Sequence, residues 1–355
     1  MDTRWQLIPF LIVMVLLGGC AELQYYGHAV SGQLEVLDKR RPIPEVIADP
    51  TTEPAVRKRL EYIEQAHAFA ISELQLPDSD SFRSYSDIGR PYVLWNVFAT
   101  PELSLQTKQW CYPLLGCLGY RSYFRKAYAQ EVARQLAEQG WDVHIANSPA
   151  YSTRGFFADP IYNPMLRYPE LDIAAILFHE LAHEKVYMQN DSQANESFAM
   201  AVQFEGVRRW LDANKQPERY ASYVLTEKRD EEFVALLSQH RGELDQLYAS
   251  NKSDSEKRQG KSKQLDTLRE DYARLKKSWQ DYAGYDHWFN KPLNNAVLAP
   301  VGTYHGDVTA FVQLLHDNNN DLGKFYIAAE QLASMEKAQR REKLNALLQR
   351  YKDAH

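Results

Sequence analysis

His179-Glu180-Leu181-Ala182-His183, followed by Asn195-Glu196-Ser197-Phe198-Ala199, is the stretch that decides the reading of this chain. The first segment is an H-E-x-x-H motif. On a helix, residues four apart share one face, so both imidazoles reach a common point. Glu180 lies beside them, placed to take a proton from a zinc-bound water. Glu196 offers a third ligand. Three protein ligands and one open position describe a catalytic site for Zn2+ and not a structural one.

The flanks support a buried helix. Pro169-Glu170-Leu171-Asp172 leads into the apolar run Ile173-Ala174-Ala175-Ile176-Leu177-Phe178. Histidine and glutamate on such a helix are costly to bury without a partner, and a metal satisfies all of them. The polar segment Met188 to Gln193 reads as a turn. A second helical pattern follows, with Phe198, Ala201, Val202, Val207, Trp210 and Leu211. Two antiparallel helices then bring Glu196, in the first turn of the second, beside the histidines of the first. Asp191 is the alternative third ligand. Gln203 and Glu205 are candidates for orienting the ligands.

The N-terminus reads as an export signal. Arg4 supplies the basic region, Leu7 to Leu17 an apolar core interrupted by Pro9, and Leu17-Gly18-Gly19-Cys20 the small residues before a cysteine. That pattern matches a bacterial lipoprotein signal cut before Cys20, whose thiol then carries lipid. The apolar run is short for a membrane span. With Ala21 next, the expected location is the periplasmic face of the outer membrane. Cys111 and Cys117 remain, and an oxidising compartment makes a disulfide between them a reasonable expectation.

The composition is that of an ordinary globular protein: 355 residues, 45% hydrophobic, 25% charged. A net charge of -6 gives no footprint for nucleic acid. The sequence divides into a signal peptide (1–19), a tether and lead-in (20–50), a catalytic core (51–215), a charged helical hairpin (216–285) and a helical segment completing the cleft (286–355). Glu53 to Leu74 and Lys126 to Gln139 read as helices. Tyr92 to Phe98, Leu118 to Phe124, Trp141 to Ala146 and Tyr151 to Phe157 read as strands. Beyond Trp210, Phe233 to Tyr248 and Leu265 to Tyr282 form two amphipathic helices, with Asn251 to Lys263 as an exposed charged tip. The fold class is α+β: a small mixed sheet with the H-E-x-x-H helix, and a mainly helical C-terminal lobe.

Several stretches carry a resemblance. They are Tyr25-Tyr26-Gly27, Gly32-Gln33-Leu34, Arg41-Pro42-Ile43, Gly89-Arg90-Pro91-Tyr92, Trp95-Asn96-Val97 and Pro101-Glu102-Leu103-Ser104. To these are added Cys111 to Gly119 with Tyr120-Arg121, Ala150 to Thr153, the two zinc segments, and Leu293-Asn294-Asn295-Ala296. Together they are similar to the bacterial putative aminopeptidase family of the zincin superfamily, a group of lipoproteins. The resemblance implies a zincin fold, His179, His183 and Glu196 as zinc ligands, Glu180 as catalyst, and an aminopeptidase activity. Arg154, Phe156 and Ala194 depart from the pattern; none is a proposed ligand, and the first two bear on substrate preference.

The chemistry expected is peptide hydrolysis, with Glu180 passing the water proton to the leaving amine. Tyr304, followed by His305, is the candidate oxyanion donor. Tyr151, Ser152 and Thr153 are candidates for binding the substrate backbone as an added strand. An aminopeptidase also needs acidic groups for the substrate ammonium, Glu102 being one candidate. Two alternatives stand beside this reading: a lipid-anchored scaffolding protein with a structural or vestigial zinc site, and a peptidase acting on peptidoglycan stem peptides.

Overall fold

Strands in this chain are short and helices long. The computed structural model describes residues 22–112, 116–151, 158–301 and 307–354. Cys20, Ser152, Thr153, Arg154, Phe156, Tyr304 and His305 lie outside the described residues. Helix α1 covers residues 22–38. After it come β1 (Arg40–Pro42), α2 (Ile43–Ala48), α3 (Pro54–Ser72), β2 (Ser84–Ser86) and β3 (Leu94–Pro101). Next are β4 (Trp110–Tyr112), β5 (Gly116–Leu118), β6 (Arg121–Tyr123), α4 (Lys126–Glu138), β7 (Trp141–Ser148) and β8 (Ile161–Tyr162). From there the chain is helical: α5 (Glu170–Lys185), α6 (Ser192–Ala213), α7 (Arg219–Ala249), α8 (Asp254–Ser278), α9 (Asp286–Phe289), α10 (Val308–Asp317), α11 (Leu322–Ala333) and α12 (Lys337–Ala354). The class is α+β, with small sheets and a mostly helical C-terminal region.

Two three-stranded sheets form, in the orders β1-β2-β8 and β6-β3-β7, and β4 pairs with β5. The first is mixed, because β2 runs antiparallel to β1 and parallel to β8. The second is antiparallel, with Val97 opposite Ile145. A disulfide joins Cys111 and Cys117 across the β4-β5 hairpin, where they are direct cross-strand partners. The strand expected at Tyr151 to Phe157 lies, from residue 152 on, outside the described residues. Tyr151 itself stacks on Tyr162, and the last strand before α5 is β8.

The site rests on the main core, where α3, α5, α6, α10, α11 and α12 meet around Phe178, Phe198 and Phe311. Gly206 of α6 makes the close crossing with α5 feasible. A Cβ there would stand 2.8 Å from the Phe178 ring and 2.9 Å from Leu74.

The charged tip expected at Asn251 to Lys263 is largely exposed, and from Asp254 on it forms the first turns of α8. Ser253 caps α8, its hydroxyl and the Glu256 side chain forming a reciprocal capping box. Gly260 lets Leu247 of α7 approach, since a Cβ would stand 2.7 Å from it. Arg258 pairs with Glu102, and Lys261 bridges the Glu102 carbonyl and Asp142. Hence α8 is docked on the ends of β3 and β7. Asn295 completes this joint: its side-chain amide donates to the carbonyls of Pro101, Glu102 and Ser104 and accepts from Tyr248.

Candidate metal centre

Helix α5 starts after Pro169, with Glu170 and Asp172 in its first turn, where carboxylates suit the helix dipole. It ends where Val186 turns extended. The turn to α6 includes Asn190 at φ 57°. Asn195 holds it from within, accepting from the Met188 N–H at 2.7 Å and donating to the Met188 carbonyl at 2.8 Å. Asp191 caps α6, accepting from the Ala194 N–H. Because α6 begins at Ser192, Glu196 falls in its second turn, one turn later than the sequence pattern placed it. The Asn195 clasp then fixes how far Glu196 reaches back over α5.

The three donors converge. His179 Nε2 lies 3.2 Å from Glu196 Oε2 and 3.2 Å from His183 Nε2, and His183 Nε2 lies 3.6 Å from Glu196 Oε2. These residues form the one group of three or more potential metal ligands among the described residues. Four ligands about 2.0–2.1 Å from a tetrahedral zinc stand about 3.3–3.4 Å apart, so this spacing fits such an ion. His179 Nδ1 is buried without a hydrogen-bond partner among the described residues. A cation at Nε2 would set its tautomer by placing the proton at Nδ1.

Electrostatics agree with the geometry. Burial alone would lower the His183 imidazole, but the Glu196 carboxylate, with Glu180 behind it, holds it above its ordinary value. Hydrogen bonds from His179 and His183 keep the Glu196 carboxyl far below the usual carboxylate range despite burial. Metal binding would therefore displace a proton from the His183 imidazole and weaken in acid. Glu180 is half-buried on the same helix, adjacent to His179.

The other sequence candidates separate. Asp191 is 2% exposed and its carboxylate meets Arg340 at 3.1 Å and Arg341 at 3.4 Å. It is an anchor for α12, not a member of the ligand group. Gln203 donates to the Tyr223 hydroxyl, and Glu205 pairs with Arg208 and Arg209, so neither orients a ligand. Glu102 is committed to Arg258. The long-range partners of Asp191 and Glu102 leave no trace in local pattern.

Sequence reasoning missed a second feature. The outer edge of β7 pairs with no strand among the described residues, and it borders a cleft of about 890 Å³ lined by Tyr92, Val143 to Asn147, Arg167, Tyr168, Trp288 and Lys291. The Val143 carbonyl points outward to the Asn294 amide. By strand alternation, the backbone groups of Ile145 and Asn147 point the same way. Asp172 of α5, whose charge acts on Tyr168 of the cleft, and Glu227 and Asp230 of α7 influence one another. Burial first, and Asp230 next, push Glu227 up to about 7.

Neither the curated proteins nor the solved structures contain a match to this chain. A family model described as "Putative aminopeptidase" matches residues 24–344, and the chain belongs to that family.

Proposed function

We propose that this protein is a zinc-dependent peptidase, anchored by a lipid on Cys20 at the periplasmic face of the outer membrane. The observation that carries the chemistry is the convergence of His179, His183 and Glu196 at the spacing of a tetrahedral zinc shell. Family membership supports hydrolysis of peptides. An intact Glu180 favours an active site over a structural one, since a purely structural site has no use for that base.

His179, His183 and Glu196 would hold the ion. Zinc when bound polarises a carbonyl and makes water acidic enough to act near neutral pH. Glu180 accepts the proton of the attacking water and delivers it to the departing amine. The free edge of β7 offers the Ile145 and Asn147 backbone to an extended peptide, the part the sequence pattern gave to Tyr151, Ser152 and Thr153. Arg167 and Lys291 line that cleft and no carboxylate does among its described residues, which suits peptides carrying acidic side chains. For an aminopeptidase, Asp172, Glu227 and Asp230 are the carboxylates at hand for the substrate ammonium.

The test is digestion of a peptide library by the zinc-loaded protein, with cut positions read by mass spectrometry. Glu180→Gln should retain fold and zinc and lose about 10²–10⁴-fold in rate. Cleavage by this variant at the wild-type rate would remove Glu180 from the role of base.

A further inference from the structure

Helix α1 has two faces of different character. Tyr25, Gly32 and Val36 point into the body. The Tyr25 ring packs on Tyr112, Tyr123 and the Arg121 guanidinium, Gly32 sits against Phe124, and Val36 is 1% exposed. The opposite face carries Leu23, Tyr26, Val30 and Leu34, with exposures of 74%, 38%, 57% and 58%. Their spacing of three, four and four keeps them within about 80° of the helix circumference. Nine large hydrophobic residues are exposed among the described residues, and these four are the ones that align on a single helix face. Scattered apolar residues on a surface need no explanation, whereas an aligned row of them does.

What covers this row follows from where α1 begins. Leu23 is three residues from Cys20, and three residues reach at most about 10 Å even when fully extended. If Cys20 carries lipid, its thiol sits at the bilayer surface. If the leader stays as an uncleaved anchor, its apolar core ends at Leu17, six residues from Leu23, a reach of about 20 Å. With Cys20 lipidated the row starts within about 10 Å of the membrane and runs about 16 Å further along the helix. No described helix is long and apolar enough to cross a membrane, and a helix with one apolar face can lie along the interface instead.

We infer that α1 is an interfacial helix that seats Leu23, Tyr26, Val30 and Leu34 among the lipid headgroups and upper acyl chains. This adds a second contact to the Cys20 anchor and fixes the orientation of the body against the membrane. The inference rests on the membrane-anchored reading given above.

The test uses the full lipidated chain reconstituted in phosphatidylethanolamine/phosphatidylglycerol vesicles. With Cys20 acylated and Cys111 bridged to Cys117, Val30→Cys supplies a single thiol for an environment-sensitive fluorophore. Ile327→Cys on α11, 58% exposed against 57% for Val30, is the control. Lipids spin-labelled near the headgroup should quench position 30 at least about three-fold more than position 327. Adding Leu23→Ser and Leu34→Ser should reduce that difference. Equal quenching at both positions overturns the inference. So does a blue shift at position 30 that depends on protein density and ignores the quencher, which would mean that a second copy covers the row. Mass spectrometry of the N-terminal peptide judges the lipid separately. A chain without acyl groups refutes the lipoprotein reading; Cys20→Ser then restores the single thiol, and quenching at position 30 in the same vesicles decides the helix.

Discussion

Replacing Asp191 by Asn separates two roles that a carboxylate beside a zinc motif can play. If Asp191 were a ligand, the change would strip the metal. The structure gives it a different task. Its side chain is 1% exposed and meets Arg340, itself 3% exposed, at 3.1 Å, and Arg341, which is 30% exposed, at 3.4 Å. Asparagine keeps an oxygen for the Ala194 N–H, so the cap survives. Arg340 keeps its bonds to the Leu332 and Met335 carbonyls. What disappears is the countercharge of a buried guanidinium. Breaking such a pair typically costs about 3–5 kcal/mol, and the retained hydrogen bonds put the expectation near the lower end, about 3 kcal/mol. Arg341→Gln disturbs a partly solvated partner and should cost about 1 kcal/mol or less from its pair with Asp191. Urea unfolding of wild type, the Asp191→Asn, Arg340→Gln and Arg341→Gln single variants and the Asp191→Asn/Arg340→Gln double variant gives the comparison, with zinc content measured on the folded fraction. A coupling of about 2 kcal/mol or more between Asp191 and Arg340 is expected, with zinc unchanged in folded protein. Loss of zinc at unchanged stability would refute the reasoning and return Asp191 to the ligand set.

Three other outcomes follow from the site and its surroundings. Wild-type protein should hold about one zinc per chain by elemental analysis, and His183→Ala or Glu196→Gln should lose most of it, since two remaining ligands hold the ion weakly; full occupancy in either variant would reject the trio. Glu227 is raised from its ordinary 4.5 to about 7. Below 4.5 it is protonated whether folded or not; between there and about 7 the unfolded chain ionises first, so the native state loses stability as pH rises, and the loss is complete above 7. Glu227→Gln should therefore stabilise at pH 8 by about 1–2 kcal/mol after solvent screening and have little effect at pH 4; equal effects at both pH values in urea titrations would contradict this. Cys20→Ala should abolish incorporation of labelled fatty acid, and label in the variant would overturn the lipid assignment.

The parts of the fold that rest on local periodicity were open to reading from the chain. The apolar run before His179 and the spacing after Asn195 specify α5 and α6, and the i, i+4 rule then places both imidazoles on one side. The position of Glu196 required knowing where α6 starts. That depends on Asp191 as the cap, whose charge is held by arginines 149 and 150 residues away. No pattern in the turn discloses this. The tip at Asn251 to Lys263 is exposed as its charge suggests, while its partners were hidden from local pattern: Arg258 and Lys261 are answered by Glu102 and Asp142 across the fold, and Gly260 serves helix packing. The β7 cleft could not be foreseen, because it is made by a strand edge and the distant segment from His287 to Val297.

The same arginines tie the ligand helix to the C-terminal lobe. Arg341 reaches Asp191 and also Asp307, and the Asp307 N–H donates to the Ser197 hydroxyl, one residue beyond Glu196. Thus the cap of α6, the residue following the third ligand and the start of α10 share one network on α12. Ser197 and Asp307 are buried, so these contacts are not exchanged for water at little cost. The proposed metal ligands come from two adjacent helices and fall within a span of 18 positions, which makes the motif look self-contained in sequence. Physically it is not. The reach of Glu196 toward the histidines is held from one side by the Asn195 clasp on the turn and from the other by α12, more than 140 residues away. A match that extends to residue 344 includes both arginines, and this network gives a structural reason for the C-terminal helix to belong to the same unit as the metal centre.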